Sequence, residues 1–149
     1  MPVNPDLVGR VFPPTPPYLV GREKVREFAR AVFADAPQHV DPEAARALGY
    51  ADVVAPPTFA MVVQDLTLQQ LLAEPESGIE LSHLVHAEQR FRYTRPIVAG
   101  DELRATLTVG GIRTLGGNTL VTSDAEITDA EGAHVVTATS VLLVGQGAA

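Results

Sequence analysis

The chain has no cysteine among its 149 residues, which removes disulfides, thiolate nucleophiles and thiolate metal sites from consideration. Basic charge is scarce: 11 Lys and Arg face 18 Asp and Glu, for a formal charge of −7. A phosphate polymer needs a basic surface, so nucleic acid is excluded as a general partner and an anionic membrane is disfavoured. Small anionic ligands need only a local patch, because charges are screened over roughly 8 Å at physiological salt. Long apolar runs are missing too, and none approaches the roughly 20 residues that span a bilayer. The start, Met1 to Asp6, has neither the basic residues nor the apolar stretch of a signal peptide, so a cytoplasmic location is expected. The apolar fraction of 46% is nevertheless too high for a disordered chain. Residues 1–149 therefore read as one domain with its own core.

What is present divides into helices first and strands afterwards. Four prolines in Phe12-Pro13-Pro14-Thr15-Pro16-Pro17-Tyr18 remove backbone donors, so this segment is neither helix nor central strand but an extended surface arm. A first helix is expected over Gly21 to Phe33, burying Val25, Phe28, Ala29, Val32 and Phe33 at three-four spacing. Asp41-Pro42-Glu43 starts a short second helix with an acidic N-cap and proline in the first turn, and Leu48-Gly49 ends it. A third helix is expected from about Pro57 to Leu72. Its first half, Phe59 to Val63, is apolar on every side, and something must wrap it.

From Leu81 the period becomes two. Val85, Ala87, Phe91 and Tyr93 alternate with His86, Glu88, Arg90 and Arg92, which puts Gln89 on the face toward the apolar helix. Leu103 to Val109 and Val121 to Ile127 repeat the pattern. His134 to Val144 is apolar on both faces, as a central or interfacial strand would be. Ala99-Gly100-Asp101, Gly116-Gly117-Asn118 and Asp129 to Gly132 supply turns, and Gly110-Gly111 reads as part of a hairpin, not a phosphate loop. Gly145 to Ala149 is expected to fray. The class is α+β, with four antiparallel strands.

The chemistry concentrates between Phe33 and Phe59. Asp35-Ala36-Pro37-Gln38-His39 sets a carboxylate near an imidazole, and Ala55-Pro56-Pro57-Thr58-Phe59 opens the apolar helix. Together with Val20 to Ala29, His86-Ala87-Glu88-Gln89 and Tyr93 to Asp101, this layout resembles the MaoC-like, hot-dog-fold (R)-specific hydratase/dehydratase family. Within it, the chain is similar to single-domain actinobacterial proteins related to the A subunit of the mycobacterial (3R)-hydroxyacyl-acyl-carrier-protein dehydratase. It is similar also to the N-terminal, non-catalytic half of two-domain hydratases.

The resemblance implies a hot-dog fold, an antiparallel sheet wrapped around a long helix. It implies interconversion of 3-hydroxyacyl and trans-2-enoyl thioesters, on coenzyme A or acyl carrier protein, without a metal or other cofactor. Its motif, Asp-x-Asn-Pro-x-His, maps onto Asp35 and His39 as the candidate catalytic pair, but the Asn is absent and the spacing is one residue short. A displacement of 1 Å can cost on the order of a hundredfold in rate. Pro56 and Pro57 also lack the N–H that an oxyanion needs, leaving Thr58 and Phe59 as donors.

Three functions stay open. The leading one is a non-catalytic, acyl-binding subunit in a hot-dog heterodimer with a catalytic partner. The others are a homodimeric hydratase using Asp35 and His39, and an acyl-thioester-binding protein with no associated reaction. Thr58, Phe59, Met61 and Val62 are the expected acyl-binding residues. Arg90 and Arg92, with Arg95 and Arg104, form either a landing site for ligand phosphates or a solvated strand face paired with Glu88 and Glu102. Gln89 needs a partner if buried, expected in the loop before the third helix. His39, His83 and His86 have no zinc-like spacing.

Overall fold

The computed structural model describes residues 2–146, so the expected fraying of the tail falls outside the described residues at 147–149. Five antiparallel strands form one curled sheet: β1 (Tyr18–Leu19), β2 (Leu84–Tyr93), β3 (Glu102–Leu115), β4 (Asn118–Thr128) and β5 (His134–Val144). Their spatial order is β1-β3-β4-β5-β2, so β5 is internal, as its two apolar faces require. Three helices precede β2: α1 (Arg22–Ala31), α2 (Pro42–Ala47) and α3 (Ala60–Ala73), the last lying on the inner face of the sheet. This is the α+β hot-dog arrangement. Among the described residues no helix is long and apolar enough to cross a membrane.

The register explains why α3 can sit so close. On the inner face Ser123 pairs with Ser140 and Ala125 with Ala138, giving a strip of small side chains across β4 and β5. Larger pairs, Val121 with Leu142 and Ile127 with Val136, flank that strip at both ends. The result is a trough into which α3 presses Ala60, Val63, Gln64, Thr67 and Leu71, all buried. That is one helical face. The remaining large apolar residues, Met61, Val62, Leu66, Leu68 and Leu72, are only half-buried, so the sheet wraps α3 incompletely.

The structure departs from the sequence-based reading at several points. The first helix stops at Ala31, short of Phe33. Phe33 takes φ 59°, with its N–H on the Arg30 carbonyl and the Ala34 N–H on the Ala29 carbonyl. This is a left-handed helix stop with phenylalanine where glycine is usual, and it swings the ring outward to 91% exposure. Val32 is exposed with it. The third helix begins as a 3-10 turn, Pro57–Phe59, before α3 proper. β3 runs through Gly110-Gly111 with a bulge after Val109, and the hairpin turn lies wholly at Gly116-Gly117, with φ 55° and 81°. In β2 a bulge at Ala87 shifts the register between His86 and Glu88. His86 then pairs with Leu142 on the inner face, beside Gln89, and Val85 turns outward at 58% exposure. One extra residue reverses every side chain before it.

The proline arm caps an edge of the sheet. Phe12 N–H donates to Leu107 O and Thr15 N–H to Ala105 O, the two donors that the neighbouring prolines lack. The buried Thr15 hydroxyl in turn accepts the Ala105 N–H at 3.0 Å. Thus β3 is closed, while among the described residues β2 is hydrogen-bonded on one side only. Thr15→Val keeps the shape but leaves the Ala105 N–H without an acceptor. It should cost about 1–3 kcal/mol, read as a lower urea midpoint with unchanged slope.

Candidate functional site

His39 sits in a 3-10 turn, Pro37–His39, held between α1 and the segment Val53–Ala55. The Val54 N–H donates to Gln38 O, Ala55 N–H to Ile97 O, and Ala99 N–H to Val53 O, so this segment is pinned on both sides. Two arginines of α1 reinforce it. Arg26 Nε donates to Val40 O at 2.8 Å, and Arg22 grips the Asp52 carboxylate with two hydrogen bonds, at 3.0 and 2.7 Å. Those bonds to Arg22 hold the Asp52 carboxyl at about 2, below the usual carboxylate range.

The rigid segment presents the Val54 carbonyl to His39 Nδ1 at 2.6 Å. A carbonyl oxygen only accepts, so Nδ1 carries the proton and the neutral ring keeps its lone pair on Nε2. His39 lines a cleft of about 440 Å³ with Gln38, Val54, Ala55, Pro57, Tyr93, Thr94, Arg95 and Pro96. That volume suits a small ligand. Asp35 is exposed and is not part of this lining, so the structure places one member of the expected pair in the cleft and leaves the other outside it.

The start of the third helix is largely spent as a donor site. The Phe59 N–H is used on Pro56 O at 2.9 Å. The Tyr93 hydroxyl donates to Pro57 O. Burial pushes its phenol up to about 12, against the Ala60 N–H that faces it. Thr58 is exposed, and among the described residues its N–H meets no acceptor. The Phe59 ring does not face the cleft as an acyl wall: it is fully buried, edge-on to Phe28 at 5.3 Å. Val62 packs on the core, and Met61 borders a small cavity deeper along α3.

Arg90 and Arg92 pair with Thr139 and Thr137 on the outer face of β2, beside Asp124 and Glu126, opposite in direction to the inward Phe91 and Tyr93. Arg95 is locked by Asp101 at 2.8 and 3.1 Å and by Asp129 at 3.4 Å, which raises its pKa. Among the described residues no group of three or more His, Cys, Asp or Glu is placed to hold a metal. Sequence reasoning missed Tyr93 and Val54 as site residues. Tyr93 was traceable as an inward position closing β2; the carbonyl of Val54 has no sequence signature.

The sequence profile of the FAS1-like dehydratase domain region matches residues 6–138. The chain belongs to the FAS1-like dehydratase-domain family. Among its relatives is a UPF0336 protein from Clavibacter michiganensis, 66% identical over 97% of both chains. Another, from Streptomyces avermitilis, is 49% identical over 96% of this chain and 95% of its own. One chain of the C-terminally truncated HadBC complex of Mycobacterium tuberculosis, a (3R)-hydroxyacyl-ACP dehydratase, aligns with TM-score 0.85 and 33% identity, covering 93% of this chain and 97% of that one. A MaoC-like dehydratase aligns with TM-score 0.83 and 38% identity, covering 94% of this chain but 42% of the larger one.

Within this FAS1-like domain the Arg22–Asp52 pair ties α1 to the strut that orients His39. Because the folded Asp52 pKa lies below the unfolded value of about 3.9, its contribution is present above that value and lost as pH falls toward about 2. Asp52→Asn should therefore flatten the acid limb of stability between about pH 4 and pH 2. Urea titrations at a series of pH values check this; parallel curves for both proteins would refute it.

Proposed function

We propose that the chain is the acyl-binding, non-catalytic subunit of an (R)-specific 3-hydroxyacyl thioester dehydratase, paired in the cytoplasm with a catalytic hot-dog subunit. The observation that carries this reading is the division of the expected pair: His39 lines the cleft with no partner for Nε2 among the described residues, whereas Asp35 is exposed outside that lining. Dehydration needs a base for the proton alpha to the thioester carbonyl, an acid for the departing hydroxyl, and donors for the enolate oxygen. The cleft offers one imidazole nitrogen and, at the helix start, the Thr58 N–H.

Pairing is supported by two unfinished surfaces. Among the described residues β2 is bonded on one side only, and Met61, Val62, Leu66, Leu68 and Leu72 of α3 are half-covered. An open sheet edge beside incompletely covered apolar surface favours association with another hot-dog subunit. The HadBC structure is named as a complex of a (3R)-hydroxyacyl-ACP dehydratase, which favours a thioester on acyl carrier protein or coenzyme A as the ligand.

A homodimeric hydratase is the second reading, favoured by the free Nε2 of His39. Assayed alone with crotonyl-coenzyme A, the chain should turn over negligibly, and adding a catalytic hot-dog partner should produce activity. Robust turnover by the lone protein, abolished by His39→Ala or Asp35→Asn, would establish the homodimeric enzyme instead. Calorimetric titration of the lone chain and of the pair with acyl-coenzyme A separates both from a protein with no thioester role.

A further inference from the structure

On the inner face of the sheet the polar side chains are spent on packing. Gln89 Nε2 donates to Gln64 Oε1 at 2.8 Å, so the partner expected for Gln89 in the loop before the third helix lies in the helix itself. The outer face carries a different polar row, and that row ends at the His39 cleft. The Thr94 hydroxyl lies 2.6 Å from His134 Nδ1, and His134 Nε2 lies 2.7 Å from the Thr137 hydroxyl. Thr137 in turn donates to Glu126 Oε1 at 2.8 Å, and Glu126 Oε2 stands 3.4 Å from His134 Nε2 directly.

A bulge builds this row. Ile127 pairs with Val136 but Thr128 pairs with His134, so Val135 is an extra residue in β5. Without it His134 would turn to the inner face; with it His134 joins Thr137 and Glu126 on the outer one. The carbonyl of the same Val135 accepts the Thr94 N–H at 2.8 Å, which fixes Thr94 beside the imidazole. The direction of the hydrogen bonds follows from the acceptor at the end. A carboxylate only accepts, so Thr137 gives its proton to Glu126 and receives one from Nε2–H. The neutral His134 ring then keeps its lone pair on Nδ1, and the Thr94 hydroxyl donates to it. Thr137 is 6% exposed, so the middle of the row is shielded from competing water. Thr94 is exposed and lines the cleft of about 440 Å³. Arg95 lines it too, held by Asp101 and Asp129.

We propose that Thr94, His134 and Glu126 give this chain a second chemistry, the hydrolysis of small acyl esters and thioesters through an acyl group carried on Thr94. A hydroxyl, an imidazole within hydrogen-bond reach and a carboxylate orienting that imidazole are the parts such a reaction needs. Thr94 Oγ1 bonds to the carbonyl carbon while its proton passes to His134 Nδ1. The tetrahedral carbon then breaks its bond to sulfur or oxygen, and the leaving thiolate or alkoxide takes the proton from Nδ1. Water attacks the resulting ester and gives a proton to Nδ1, which returns it to Thr94 Oγ1 as the C–Oγ1 bond breaks and the carboxylic acid leaves. Thr137 and Glu126 accept from Nε2–H while the imidazolium exists, and Arg95 brings a fixed positive charge to the cleft in which the oxyanion develops. This activity goes beyond the acyl-binding reading, because the attacked carbonyl is present in any acyl ester.

The test uses p-nitrophenyl butyrate and butyryl-coenzyme A. Their acyl chains are saturated and cannot be hydrated, so release of p-nitrophenol or of free thiol reads this reaction alone. The wild-type chain should release either leaving group above the buffer rate, and mass spectrometry should find a butyryl adduct on the peptide that holds Thr94. Thr94→Val keeps the shape without the hydroxyl and should abolish the adduct; Thr94→Ser should restore it. His134→Gln should slow acylation by about 10²–10⁴-fold. Should Thr94→Val fail to fold, the position of the adduct in the wild type decides alone. Equal release by wild type and folded Thr94→Val, or an adduct on another residue, overturns the proposal. Butyryl-coenzyme A binding in the calorimeter with neither adduct nor release from either probe overturns it and leaves the thioester-binding reading intact. A Thr94 adduct from p-nitrophenyl butyrate with no binding of any acyl-coenzyme A supports it and overturns that reading instead.

Discussion

Everything in this domain depends on how closely α3 approaches the sheet. A helix is about 10 Å across, and a sheet lined with large side chains would hold it away from the strands. The small pairs Ser123–Ser140 and Ala125–Ala138 make room, and the large pairs on either side of them stop the helix from sliding. Close approach then forces the other features. Gln64 is driven into the interface and has to find a partner, which Gln89 supplies. The start of α3 is fixed against β2, where Tyr93 fastens Pro57 and the cleft forms. Interiors are packed as densely as organic crystals, so a change of a single methylene in the trough would be transmitted to the cleft.

The two edges of the sheet are treated differently, and the difference has a chemical origin. The proline arm is a poor strand, yet its two usable N–H groups and the Thr15 hydroxyl are spaced to engage Leu107 and Ala105. A segment with so few donors cannot itself template another strand, which makes it a safe edge. At β2 the edge is not covered by the described part of the chain. Its bulge interrupts the ladder near Ala87, while Glu88 to Tyr93 pair regularly with β5. In the proposed role that regular stretch is where a second hot-dog sheet would continue, bringing its own loops to the cleft beside Tyr93.

The parts of the fold that repeat were legible in the sequence. Leu103 to Val109 of β3 and Val121 to Ile127 of β4 alternate strictly, the apolar third helix announced a covering sheet, and the doubly apolar β5 announced an internal strand. What escaped detection were single-residue events. The Ala87 bulge carries no glycine to mark it, so the alternation was extended through it and His86 was assigned the wrong face. Phe33 continues an apolar period, but the helix ends before it in a left-handed stop that no residue there advertises. The site was readable only as far as local spacing reaches. Asp35 and His39 are neighbours in sequence, but whether both enter one cleft is decided by Val54, Arg22 and Asp52, which lie 13 to 17 residues from His39 and which no short motif contains.

In the proposed role, the features that leave the cleft short of a complete dehydration site suit it to holding an apolar chain. A helix start with free N–H groups attracts an oxyanion through its partial positive charge. Here Pro56 and Pro57 contribute no N–H, the Phe59 donor is turned back on Pro56, and Tyr93 covers Pro57 O. Each of these leaves one donor or acceptor fewer for a ligand to meet at the helix start. In the proposed role, repairing the Asp–His spacing would therefore not be sufficient for a complete dehydration site, because the helix start keeps only the exposed Thr58 N–H as a donor for an oxyanion. In the proposed acyl-binding role, two departures of different kind, one in proton transfer and one in oxyanion binding, both favour holding the reactant over dehydrating it.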